Sequence, residues 1–146
     1  MKALPKRVGE PWVKCKCDPS VEYQMRLLPR HVALHIASQN TDIDTTGGEP
    51  QVVMKTLWYS YDTLRFALRG LRGLEDPDTG QDFTLHFDRV NIRGNITRAV
   101  TCECIDRLPL ELFSELSEAA INAGGMTEEE VEQVDFTPTS SAPGNT

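Results

Sequence analysis

The chain has no apolar run near the length of about 20 residues that a membrane-crossing helix needs. No apolar core follows its basic opening, MKALPKRVGEPW, so a secretory signal is not expected. Without export the expected compartment is reducing, and the four cysteines are expected as thiols rather than bridges. No Ser/His/Asp order, nucleophile elbow, phosphate loop or dinucleotide fingerprint occurs. Basic residues are nearly missing from the last third. Residues 101–146 hold one Arg against ten acids, a balance of −9. Residues 1–36 hold seven Lys/Arg against three acids (+4), and the stretch between holds seven against nine (−2), which sums to −7. Such an acidic half argues against nucleic acid as the main partner, because phosphate binding needs a basic stripe. The opposite charge of the two ends suits docking on a partner or head-to-tail self-association into a homo-oligomer, and equally suits a solvated acidic tail with no partner.

The strongest positive signal lies in VVMKTLWYSYDTLRFALRGLRGL, residues 52–74. Val53, Leu57, Tyr61, Leu64, Leu68 and Leu71 recur at steps of four, four, three, four and three. That spacing is one face of a helix and predicts a long central helix. Met54, Trp58 and Phe66 widen the face. Gly70 and Gly73 interrupt it, and EDPDTG closes it with turn residues.

The flanks predict a mixed fold. Residues 1–11 are expected to be a flexible basic arm. WVKCKC, residues 12–17, alternates with Val13, Cys15 and Cys17 on one face. VEYQMRLL, residues 21–28, alternates with Val21, Tyr23, Met25 and Leu27 together, and a hairpin through Asp18-Pro19-Ser20 joins the two. PRHVALHIASQ fits both periods, and Pro29 at a helix-entry position favours a helix. Residues 40–50 are expected as a loop. FTLHF, residues 83–87, predicts a strand with Phe83, Leu85 and Phe87 inward, and a second strand over 90–96 is bent or broken at Gly94. Thr101 is placed to cap a short helix. Pro109 opens a longer one whose buried stripe is Leu112, Phe113, Leu116, Ala119 and Ala120 and whose wet face is Glu111, Glu115 and Glu118. Gly124-Gly125 ends it. Thr127-Glu128-Glu129-Glu130 has capping-box spacing for a last short helix. Residues 12–135 are thus expected as one α+β domain, a small antiparallel sheet packed on the central helix with a C-terminal helical segment. Residues 136–146 are expected to be a disordered tail.

Three groupings have a chemical and a bland reading. Cys15/Cys17 and Cys102/Cys104 together make four thiols, but a helical Cys-x-Cys points its sulfurs about 200° apart, which defeats a shared zinc site. Asp76, Asp78, Gly80 and Asp82 resemble the start of a calcium loop, yet Phe87 stands where a bidentate Glu is needed, so a surface turn is expected. His31 and His35 have zincin spacing, but Val32 follows the first His instead of Glu. No metal, cofactor or catalytic residue is expected. Among the aromatics, Tyr61 is expected in the core, and Trp58 or Tyr59 on an exposed ridge.

The order of pieces then becomes informative. YQMRLLP enters the helix ending LRFALRGLRGLE, then DPDTG turns, FTLHF alternates, and IDRLPLELFSELSEAAI and MTEEEVEQVDF follow. Over residues 52–135 this is similar to small tailed-bacteriophage proteins described as tail assembly chaperones or tail-proximal proteins. In that group a Leu-x-Gly-Leu helix end, an acidic-glycine turn and an LP-x-E-L-x-x-E-L helix recur in that order. The basic cysteine-containing segment before residue 52 and the length of FTLHFDRVNIRGNITRAV depart from the pattern. The resemblance implies a non-enzymatic tail assembly factor in the cytoplasm of the bacterial host. It would bind other phage tail proteins, the tape-measure or tube subunits. A structural connector retained in the virion tail is the alternative. Such a role calls for an apolar groove or ridge, here from residues 52–72 and 109–122. The candidate contact residues are Trp58, Tyr59, Leu112, Phe113 and Leu116.

Overall fold

The computed structural model describes residue 3 and residues 10–124. The predicted helix over 127–134, the tail 136–146 and most of the arm 1–11 lie outside the described residues. The fold is α+β, with helices and antiparallel strands in small sheets.

The chain enters through β1 (Trp12–Lys14) and β2 (Glu22–Met25). They pair antiparallel, with Trp12 opposite Gln24. The predicted Asp18-Pro19-Ser20 turn joins them, with the Val21 N–H on the Asp18 carbonyl and the Asp18 carboxylate accepting from Ser20. Cys15 and Val21 turn into the core, while Val13, Cys17 and Leu27 stay outside. Pro29 then stands at the N-cap of α1 (Arg30–Gln39), and Val32, Ala33, Ile36 and Ala37 form its buried stripe. Asn40 closes α1. Its Nδ2 donates to the Ile36 carbonyl and to Asp62, at 2.9 Å each.

The region expected as one helix over 52–74 divides into strand, helix and strand. Residues 40–50, expected as a loop, contribute β3 (Thr41–Asp44), which pairs with β4 (Gln51–Met54). The β-branched pair Val52-Val53 suits that extended hairpin. Lys55 then donates its N–H to the Asn40 carbonyl, and α2 runs only over Thr56–Ala67. The next residues, Leu68–Arg72, are β5, the third strand of the β1–β2–β5 sheet. Gly70 is poorly suited to a helix interior. In the sheet its missing side chain makes room for Trp12, whose ring tip would lie 2.7 Å from an added Cβ. Arg72 stacks on the same indole, 4.0 Å from its centre, and pairs with Glu22.

Helical spacing was misleading here for a physical reason. Leu68 and Leu71 are both buried, which strict alternation forbids. The register slips between Gln24 and Met25, so that Leu68 opposes Met25 while Gly70 opposes Gln24. The extra residue is a bulge, which resets the alternation and mimics a step of three. At the other end, Val53 and Leu57 are exposed instead of buried. The face of α2 that meets the core is Tyr59, Thr63, Leu64, Phe66 and Ala67. Gly73 ends the strand at φ +85°, where an added Cβ would strike the Ser20 carbonyl.

The Asp-Pro-Asp-Thr-Gly turn forms as expected between β6 (Glu75–Asp76) and β7 (Gln81–Asp82). FTLHF is not a strand. Phe83 is buried and Leu85 half-buried, with Thr84 and His86 outside. The stretch before Phe87 lies outside any ladder, although the His86 carbonyl accepts from Thr101. The strand begins at Phe87: β8 (Phe87–Ile92) pairs with β9 (Asn95–Val100). The break expected at Gly94 is a two-residue turn, with Arg93 at φ 51° and Gly94 at φ 86°, the left-handed pair that tight hairpins need. Thr101 caps α3 (Cys102–Asp106) through its side chain, and α4 (Leu110–Gly124) follows Pro109.

Candidate functional site: an aromatic ridge beside two helices

The ridge starts at the first turn of α2. That turn has no side-chain cap and no acidic residue; backbone bonds hold it, including the Tyr59 N–H on the Lys55 carbonyl. Leu57 is 85% exposed and Trp58 61% exposed. One turn on, Tyr61 lies at i+4 from Leu57 and i+3 from Trp58, on their side of the helix. The rings of Trp58 and Tyr61 meet edge-on, 5.6 Å apart. Tyr61 also meets Phe113 of α4 at 6.2 Å, tilted by 46°. Leu110, three residues before Phe113, is 78% exposed. The rings therefore bridge α2 and α4, with an exposed leucine at each helix start.

One polar bond fixes the middle of the ridge. The Tyr61 hydroxyl donates to Asp106 Oδ1 at 2.8 Å and lies 3.4 Å from the Cys102 carbonyl. Burial, then these two partners, push its ionisation well above the ordinary tyrosine range. The ring stays a neutral donor tied to Asp106, and Trp58 meets it edge-on. A rigid base carrying exposed aromatic and leucine side chains is suited to burying apolar area on a partner.

A second apolar opening lies across α4. A groove of about 560 Å³ runs between the β1–β2 hairpin and the helix. Val13, Tyr23, Met25 and Leu27 line one side, and Ala119 and Ala123 the other. Glu115 stands at its rim and ties the two sides together. Its carboxylate accepts from the N–H groups of Lys16 at 2.7 Å and Cys17 at 2.8 Å. Burial opposes the charge, but those donors outweigh it and hold the carboxyl below its usual range.

The five candidate contact residues separate. Trp58 lies on the ridge, and Phe113 is half-buried beneath it. Tyr59, Leu112 and Leu116 are core residues and offer no surface. Tyr59 is one residue, about 100° of helix, round from Trp58, which turns its ring inward. Leu57, Tyr61 and Leu110 take their place. Leu57 was missed because the spacing assigned it to the buried face. A leucine directly after Pro109, outside the Leu112–Leu116–Ala120 stripe, was the available sign for Leu110.

The other groupings resolve differently. Cys15 and Cys104 are buried, and Cys17 and Cys102 exposed, all four as free thiols. Burial, with help from Glu115, Cys17 and Asp18, pushes the Cys15 thiol up to about 12, which makes it inert filler rather than a nucleophile. Cys104 Sγ accepts the His86 N–H at 3.3 Å. Among the described residues no three His, Cys, Asp or Glu converge as a metal-binding group would. Asp76 is engaged by Arg107, which donates to both carboxylate oxygens at 2.8 and 3.1 Å. Among the described residues no helix is long and apolar enough to cross a membrane. No family model matches the chain, and neither a curated protein nor a solved structure matches it at a significant level.

Proposed function

We propose that the protein is a non-enzymatic adaptor that binds an amphipathic helix of another chain, in the setting of phage tail assembly. The single observation that carries the binding is the open first turn of α2, where Leu57 and Trp58 stand exposed on a Tyr61–Phe113 base. Helix-in-groove recognition uses anchors of this kind, spaced by one turn. The setting is supported by the order of sequence motifs. Its acidic-glycine turn and its LP-x-E-L helix occur as a hairpin turn and as α4, whereas its Leu-x-Gly-Leu helix end is strand β5. The acidic C-terminal third supplies like charge that keeps a complex with an apolar segment soluble.

The test is co-expression with tape-measure or tail-tube segments, followed by pull-down and titration. Trp58→Ala and Leu57→Asp should each weaken capture by at least about tenfold without shifting the melting temperature. Leu27→Asp serves as the groove control. If it abolishes capture while Trp58→Ala does not, the ridge assignment fails and the groove replaces it. Recovery of the chain from purified particles would indicate a retained connector instead of an assembly factor.

A further inference from the structure

The surface above strands β5 and β9 carries charge that the ridge does not use. Arg26 follows β2 directly and is only 8% exposed. Its Nε donates to the Phe66 carbonyl at 2.8 Å and its Nη2 to the Thr97 hydroxyl at 2.9 Å. Both acceptors are neutral. A buried guanidinium is normally matched by an anion, because desolvation penalises a charge left with dipoles alone. Arg65, Arg72 and Arg107, all more exposed than Arg26, each meet a carboxylate. No ion pair among the described residues includes Arg26, Arg69 or Arg98.

These three arginines line one cavity of about 460 Å³, together with Gln24, Thr97 and Glu10. Glu10 presents its backbone carbonyl to Gln24 Nε2 at 2.6 Å, and its carboxylate forms no ion pair with the arginines. Arg98 is further held over the Phe87 ring at 4.9 Å. Burial first, then the like charge of Arg69, draws Arg26 down to about 10, against the opposing pull of the Glu10 carboxylate, so it is still cationic at neutral pH. The cavity is thus an open concavity lined by arginines and by Glu10, with one deeply seated guanidinium. It lies within the size range of small-molecule sites, about 300–1,000 Å³, and is roomier than a bare ion requires.

We propose that this cavity binds the phosphate group of a small phosphorylated metabolite, with Arg26, Arg69 and Arg98 as its recognition residues. A phosphate takes planar, paired N–H donors from guanidinium groups and accepts from hydroxyl and amide donors as well. Thr97 and Gln24 supply those. The site is independent of the ridge, on different elements, so its failure would leave the adaptor reading untouched.

The full chain is titrated by calorimetry with inorganic phosphate, AMP, adenosine and succinate at constant ionic strength. AMP is expected to bind saturably with Kd below about 1 mM, inorganic phosphate more weakly, and adenosine not at all. Arg69→Ser/Arg98→Ser should weaken AMP by at least about tenfold with the circular dichroism spectrum retained. Arg93→Ser removes an exposed charge at the β8–β9 turn, away from the cavity lining, and should leave binding unchanged. Binding of phosphate alone, without tighter AMP, would reduce the site to a free-anion site and overturn the metabolite assignment. Equal binding of succinate, equal loss in Arg93→Ser, or no saturation with any phosphate compound would overturn the proposal outright. The Arg69/Arg98 pair is used because Arg26 variants remove a buried contact and can unfold the chain.

Discussion

Helices α2 and α4 pack against each other, yet they are held in different ways. In α4 the burial is a continuous stripe, Leu112, Leu116 and Ala120, at steps of four. Its Glu115 reaches back to the β1–β2 turn. In α2 the burial begins at Tyr59 and is concentrated in the second half, at Thr63, Leu64, Phe66 and Ala67, because strand β5 follows without a loop and draws that end into the sheet. The first turn is left projecting. The difference shows how one helix can be scaffold at one end and recognition surface at the other: the core fixes only the end that the next strand pins. The two buried hydroxyls without a partner among the described residues, Thr63 and Ser117, also divide between these helices.

The largest expected effect tests the strand that pins α2. Gly73→Ala places a Cβ against the Ser20 carbonyl at a left-handed φ. It should destabilise by about 3–5 kcal/mol, from backbone strain plus overpacking. Chemical denaturation would reveal this, and a loss below about 1 kcal/mol would show that β5 is not rigidly placed. Next, Leu64→Ala in α2 and Leu116→Ala in α4 should each lose about 2–5 kcal/mol, since both are fully buried. A large gap between them would mean that the two helices do not share one core.

Glu115→Gln should cost about 1–2 kcal/mol, low for charged hydrogen bonds because the site is open to water. Its pH dependence follows from a carboxyl held below its ordinary 4.5. A depressed group stabilises fully above its unfolded pKa, and that contribution is lost as pH falls through the folded value. The wild type and Glu115→Gln should therefore differ at neutral pH and converge as acid is added below about pH 4. Asp76, lowered first by its bond with Arg107 and then by the Asp78 N–H, fades in the same direction, so acid should also loosen the β6–β7 hairpin. In the opposite sense, Thr63→Val should stabilise by about 1 kcal/mol by removing an unpartnered buried hydroxyl. Destabilisation there would show that a water or an internal acceptor satisfies Thr63. The smallest effect belongs to Leu57→Ala, within about 0.5 kcal/mol; a larger loss would bury the proposed ridge.

Punctuation was the most legible part of the chain. Pro29, Thr101 and Pro109 mark where α1, α3 and α4 begin, and Asp76–Gly80 marks a turn. These residues act through their own backbone geometry or their own hydroxyl, which needs no distant partner. The stripe on α4 was legible for a related reason, since one helix face repeated for several turns has one simple interpretation. The ridge was half legible. Trp58 was expected outside and is exposed, whereas Tyr59 was expected on the ridge and is core, and Leu57 was expected in the core and is exposed; Leu112 and Leu116, offered as contacts, lie in the stripe expected to be buried.

The charge imbalance, the α+β character and the starts of three helices followed from local residue chemistry alone. The division of residues 52–74 was decided by tertiary structure. Val52-Val53 gained a hairpin partner in Thr41–Asp44, and Leu68–Arg72 gained one in Glu22–Met25. The second of these ladders joins segments more than forty residues apart, and neither segment by itself shows that it has a partner. The bulge opposite Gln24 and Met25 even supplied a false helical period. Tertiary structure likewise decided which side of α2 faces water, and it seated Arg26 among neutral acceptors, because both depend on where the strands beside them come to rest.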